Sequence, residues 1–88
     1  MPGQLIKKEA PDYPLLAKRL GQRGTVVIQG TIGIDGKVHD PEVLFAPSEL
    51  LAASALKAVS HWEYKPYMLG GEPAEVETTI NVFFALGQ

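Results

Sequence analysis

Residues 25–38 read TVVIQGTIGIDGKV. Val26, Ile28, Gly30, Ile32 and Ile34 alternate with Val27, Gln29, Thr31 and Gly33, the period of a strand that buries one face. Asp35-Gly36 then supplies a dipeptide favoured in two-residue type I′ turns, whose central positions both need positive φ. A second strand should therefore return from Lys37. Along it Val38 is apolar at an even position, whereas Val43 and Phe45 are apolar at odd ones. The phase changes across Asp40-Pro41, where a bulge is expected. A hairpin with one apolar face needs a cover, and the flanking sequence has to provide it.

SELLAASALKAVS, residues 48–60, is that cover. Ser48 is a good N-cap, and Glu49 suits the positive end of the helix dipole. Leu51, Ala55, Ala58, Val59 and Trp62 recur at helical spacing, and the small Ala52, Ala55 and Ala58 let the helix lie close to a sheet. The spacing predicts a helix from residue 48 to 62. HWEYKP, residues 61–66, closes it: Lys65 is pushed toward extended geometry by Pro66, and Trp62 and Tyr64 read as packing anchors at the exit. Upstream, DYPLLAKRLGQRG (residues 12–24) holds a short helix within residues 13–21. Asp12 or Tyr13 can cap it, Pro14 suits its first turn and Gly21 can end it. Leu16, Ala17 and Leu20 fall on one side of it, leaving Lys18, Arg19 and Gln22 wet.

Residues 1–10 show no clear period and are assigned as a lead-in or tail, with one domain over 11–88. MLGGEP, residues 68–73, reads as a polar connection. AEVETTINVFFAL, residues 74–86, is a long strand from 75 to 86. Val76, Thr78, Ile80, Val82, Phe84 and Leu86 turn inward; Glu77, Thr79, Asn81 and Phe83 turn outward. The order helix, strand, strand, helix, strand predicts an α+β domain with two helices packed on one face of a three-stranded antiparallel sheet. Its other face would carry Val27, Gln29, Thr31, Thr79 and Asn81, mostly polar. The last strand most simply lies beside the first, leaving the second and third strands as edges. Pro41 and the bulge spoil the second as a template, and the third is uninterrupted.

Composition narrows the function. The 88 residues carry a net charge of −2, with 45% hydrophobic and 20% charged residues, an ordinary globular balance. No basic stripe offers itself to nucleic acid or to an anionic membrane. No apolar stretch is long enough to span a bilayer, and the start lacks a signal peptide's apolar region. Without cysteine there is no disulfide, thiolate nucleophile or Cys-based zinc site. His39 and His61 are isolated from metal-ligand spacings, so no metal is expected, and the helical stripe needs no cofactor. His39 should face water beside the hairpin, and His61 lies near a helix C-terminus that favours its cation. Ser48, Ser54 and Ser60 with these histidines match no nucleophile signature, so the chain reads as a binding module rather than an enzyme.

Five motifs occur together in order. They are YP-x-x-A at Tyr13, Pro14 and Ala17; G-x-x-G-x-V at Gly21, Gly24 and Val26; I-x-x-D-G-x-V from Ile32 to Val38; A-x-x-A-V-x-x-W-x-Y-x-P from Ala55 to Pro66; and I-x-V-x-F from Ile80 to Phe84. Over residues 11–86 the chain resembles the TonB C-terminal domain family. The resemblance implies a periplasmic energy transducer anchored in the inner membrane through a helix and a proline-rich spacer that are not in this sequence, which suggests a piece of a longer protein. It implies partners too: ExbB and ExbD through the missing part, and the TonB box of outer-membrane receptors, taken up as an added strand for import of siderophores, cobalamin and similar solutes. Carried over, the binding residues are Glu75, Val76, Glu77, Thr78, Thr79, Ile80, Asn81, Val82 and Phe83 of the last strand, with Ala10, Pro11, Asp12 and Tyr13 of the lead-in. A homodimer by strand exchange is a further expectation, and a TolA-like force-transmitting domain is the alternative. The chain departs from the family at Glu9-Ala10-Pro11-Asp12, where polar or basic residues are usual, and at Glu63, where a basic one is.

Overall fold

The computed structural model describes residues 5–86. Its centre is an antiparallel sheet of β2 (Gly24–Ile32), β3 (Val38–Phe45) and β7 (Val76–Phe84) in the order β3-β2-β7. β7 runs beside β2 in unbroken register from Gly24–Phe84 to Ile32–Val76. The period-2 pattern accounts for this: Val26, Ile28, Ile32, Ile80, Val82 and Phe84 share the inner face and are buried. Helix α2 (Glu49–Val59) covers that face with Leu51, Ala55, Ala58 and Val59, and α1 (Leu15–Arg19) adds Ala17. The expected α+β architecture, with two helices over a three-stranded antiparallel sheet, is the observed one.

Several local expectations are corrected. Pro14 is the N-cap of α1 rather than part of its first turn, and its carbonyl accepts from the Lys18 N–H at 3.0 Å. Only Ala17 of α1 is buried, while Leu16 and Leu20 are exposed, because a five-residue helix makes barely more than one turn and presents one position to the core. Gly21 does end it: the Gly21 and Gln22 N–H groups return to the Lys18 and Ala17 carbonyls, the paired bonds of a Schellman motif.

The hairpin turns at Asp35-Gly36, but through three loop residues, Ile34 to Gly36. Gly36 donates to the Gly33 carbonyl at 2.9 Å and takes φ +80°, whereas Asp35 keeps a negative φ. This is a turn followed by a left-handed glycine, not a two-residue type I′ loop. It ends β2 at Ile32 and leaves Ile34 in solvent. The expected bulge is present. Asp40 and Pro41 lie between the pairs Gln29–Glu42 and Thr31–His39, and Asp40 has φ +50°. A second irregularity lies between Val43 and Phe45, so Phe45 turns outward although its odd position matched the half-buried Val43.

Ser48 caps α2 by accepting the Leu51 N–H at 3.2 Å. The helix stops at Val59, three residues short of the predicted end, and the His61 and Trp62 N–H groups close it with bonds to the Ala58 and Val59 carbonyls. Trp62 is nonetheless buried beneath it. Beyond Trp62 come three short strands: β4 (Glu63–Tyr64), β5 (Tyr67–Leu69) and β6 (Glu72–Ala74). The predicted loop is thus a hairpin, β5 on β6, turned by Gly70 and Gly71 at φ +61° and +85°. β4 pairs with β1 (Leu5–Lys7), which lies within the stretch assigned as lead-in.

Candidate peptide-binding edge

The predicted binding residues fall into two segments. β7 holds Val76 to Phe83, and Glu75 immediately precedes it. Because β7 pairs with β2 on one side only, its other backbone edge is unpaired among the described residues. The side chains split by face. Ile80 and Val82 are core, Val76 and Thr78 are half-buried, and Glu77, Thr79, Asn81 and Phe83 are exposed on the open face of the sheet. An incoming strand would meet backbone groups along all of β7, but it could read side chains of the exposed set only on that face.

The lead-in runs along α2. The Glu9 carbonyl accepts the Trp62 indole N–H at 2.8 Å, the Asp12 carbonyl accepts the Ser54 hydroxyl, and the Tyr13 hydroxyl donates to the Gln22 carbonyl. Tyr13 reaches β7 at Phe84, one residue beyond the predicted segment, packing edge-on with ring centres 5.4 Å apart. Ala10 and Asp12 instead line a recess of about 310 Å³ with Pro14, Leu50 and Ala53. Pro11 is half-buried beside them in sequence.

The open face differs along its length. Near the hairpin loop, Asp40, Glu42 and Glu77 line a recess of about 290 Å³ with Gln29, Gly30 and Thr31. Sequence reasoning passed over Asp40 and Glu42, since the bulge brings them there and no local pattern marks it. Beside this recess His39 Nε2 lies 3.0 and 3.1 Å from the two carboxylate oxygens of Asp35. That hydrogen bond and the Asp35 charge raise the His39 pKa, with lesser contributions from Asp40 and Glu75. The Lys37 N–H at 3.0 Å, followed by the His39 bond, lowers that of Asp35. At the opposite end of the face Phe83 and Phe45 are 73% and 61% exposed. Val27 stands between them, directly opposite Phe45 and one diagonal step from Phe83.

Among the described residues no group of three or more acidic, histidine or cysteine side chains is arranged to hold a metal ion. No described helix is long and apolar enough to cross a membrane.

The family model described as Gram-negative bacterial TonB protein C-terminal matches residues 9–86. The chain is 29% identical over 82 residues to Protein TonB of Pseudomonas aeruginosa, covering 92% of this chain and 24% of that protein. It is 29% identical over 86 residues to Protein TonB of Vibrio cholerae, covering 97% of this chain and 35% of that one. The chain thus spans about a quarter to a third of the length of these curated relatives. Among solved structures it resembles the solution NMR structure of the Pseudomonas aeruginosa TonB CTD, with a TM-score of 0.80 at 28% identity, covering 97% of this chain and 87% of that one.

Proposed function

The chain belongs to the family of Gram-negative bacterial TonB protein C-terminal domains, and from that premise we propose that it is the receptor-gripping end of a periplasmic energy transducer. In this reading it binds the TonB box of outer-membrane receptors by adding it as a strand to the outer edge of β7. It then transmits force for import of siderophores, cobalamin or similar solutes. ExbB and ExbD act through the inner-membrane part of the parent. The observation that carries the reading is the nine-residue β7, fully paired to β2 along one edge and free along the other among the described residues. Ladder bonds would supply affinity there, and the work is mechanical rather than catalytic. The same edge could take a second copy of the domain by strand exchange. Of the lead-in residues, Tyr13 reaches the site through its contact with Phe84, and Ala10, Pro11 and Asp12 are assigned to lie near the bound box.

Proline substitution tests the edge. Successive N–H groups of a strand point to opposite edges, so of Thr78→Pro and Thr79→Pro one removes a bond to β2 and the other only an outward donor. The variant that keeps its circular dichroism spectrum and melting temperature should lose binding to a TonB-box peptide in isothermal titration, while Ser54→Ala should bind as the parent does. Unchanged affinity in a folded outward-donor variant would move the site off β7.

A further inference from the structure

We infer that the free edge of β7 selects an extended segment carrying a bulky apolar residue and, six positions later, a lysine or arginine. This rests on the edge-binding reading and specifies the partner it takes. The exposed side chains along β7 run, in order, from an acid to an aromatic: Glu77, Thr79, Asn81, Phe83. Around Glu77 are Glu75, two residues earlier in the chain, and Asp40 and Glu42 in the shared recess. None of these four carboxylates has an ion-pair partner among the described residues, where Lys7 and Lys37 go to Glu63, His39 to Asp35 and His61 to Glu9. This end of the open face therefore carries unneutralised negative charge, with Glu75 and Glu77 nearest the free edge and Asp40 and Glu42 on β3, across β2. Phe83, at the other end, has Thr25 opposite it and Val27 on the diagonal, and most of its ring is in solvent.

All strand pairs among the described residues are antiparallel, and antiparallel pairing is the more stable per residue. A segment added that way would meet Phe83 first and Glu77 six residues, or roughly 20 Å, later. Six is even, so both of its recognising side chains fall on the open face. An apolar group covers Phe83, and a cation answers the carboxylates. A second copy fits less well. Two β7 strands paired antiparallel about Ile80 would set Phe83 of each copy against Glu77 of the other, which desolvates a carboxylate on a ring and leaves the acidic ends uncompensated.

Two synthetic ten-residue strand-forming peptides, capped at both ends, separate the alternatives. Both carry Phe at position 2; one carries Lys and the other Glu at position 8. In nuclear magnetic resonance titrations at low salt, both should shift the amides of residues 76–84. The Lys peptide should bind roughly five- to tenfold more tightly, with the gap narrowing in the Glu75→Gln/Glu77→Gln variant. If neither peptide disturbs β7, the edge-binding reading itself fails, and the inference with it. Binding at β7 that is equal for the two peptides, or stronger for the Glu peptide, overturns the selection and leaves the edge standing. A gap that does not narrow in the double variant also overturns it. So does concentration-dependent broadening at β7 that neither peptide reverses, because a second copy would then be the occupant.

Discussion

Trp62 concentrates several interactions in one side chain. Its ring is buried under α2, its indole N–H reaches the Glu9 carbonyl at 2.8 Å, and Lys8 Nζ lies 5.4 Å from the ring centre. Trp62→Ala should therefore cost about 3–5 kcal/mol in urea unfolding, enough to unfold much of a domain of this size. Trp62→Phe should cost less, because it keeps most of the apolar volume and leaves only the Glu9 carbonyl to find water. His39 acts through charge instead. Its raised pKa means its stabilisation is complete below the ordinary histidine value of about 6.5 and lost as pH rises through the folded value. The lowered Asp35 pKa contributes above about 3.9 and is lost as pH falls through its own folded value. His39→Ala should thus lower the melting temperature slightly between about pH 4 and 6.5 and leave it unchanged at pH 9, both groups being exposed and screened. A difference as large at pH 9 would mean that His39 works by packing.

At the scale of elements, the β2-β3 loop is tied to the chain beyond α2. Gly36 accepts the Tyr64 N–H at 2.7 Å, and a Cβ on Gly36 would run into the Tyr64 carbonyl. The position combines a left-handed φ with a backbone neighbour that cannot move without disturbing β4. Gly36→Ala should therefore cost about 2–3 kcal/mol, more than the conformational penalty alone. Denaturant unfolding measures the cost, and amide shifts at Glu63 and Tyr64 would show where it is felt. Lys37 reaches the same strand from the loop, its Nζ 3.3 Å from a Glu63 carboxylate oxygen. Glu63 thus sits between two lysines, Lys37 and Lys7.

On the scale of the molecule, the chain measures 49 × 22 × 17 Å, with a radius of gyration of 14.0 Å against about 12 Å for a compact domain of this length. That elongation leaves the β7 edge, roughly 30 Å of strand, accessible along its length. The N-terminal segment belongs to this body. It supplies β1 to pair with β4, the Glu9 carbonyl to Trp62, and the Glu9 carboxylate to His61 Nδ1 at 3.2 Å. Deleting residues 1–10 would leave the buried indole donor without its acceptor, at a cost of about 1–3 kcal/mol. The melting temperature should fall by about 5–15 °C. An unchanged melting temperature would show that the lead-in is ornamental to stability.

The sequence by itself determined what neighbouring residues can encode. Alternation over 26–34 and 76–86 set two strands and their inner faces, although β2 stops at Ile32 and β7 at Phe84. Asp35-Gly36 marked the reversal, Ser48 the start of α2, and the change of phase at Asp40-Pro41 the bulge. These follow from periods and caps a few residues long, and so did the inference that the last strand is an unbroken edge. Only the tertiary structure decided the rest. Leu5–Lys7 has no period because a three-residue strand needs none; it exists because Glu63–Tyr64 offers it an edge. Leu16 and Leu20 look like core and are exposed because α1 is too short to lay a stripe on the sheet. Phe45 faces out because an irregularity beside Leu44 flips it, and Asp40 and Glu42 meet Glu77 only after the strands are in register. Local propensity depends on backbone geometry within a turn or two. The acidic grouping on the open face depends on which distant strands share it, a property of the sheet's register that no single stretch of chain contains.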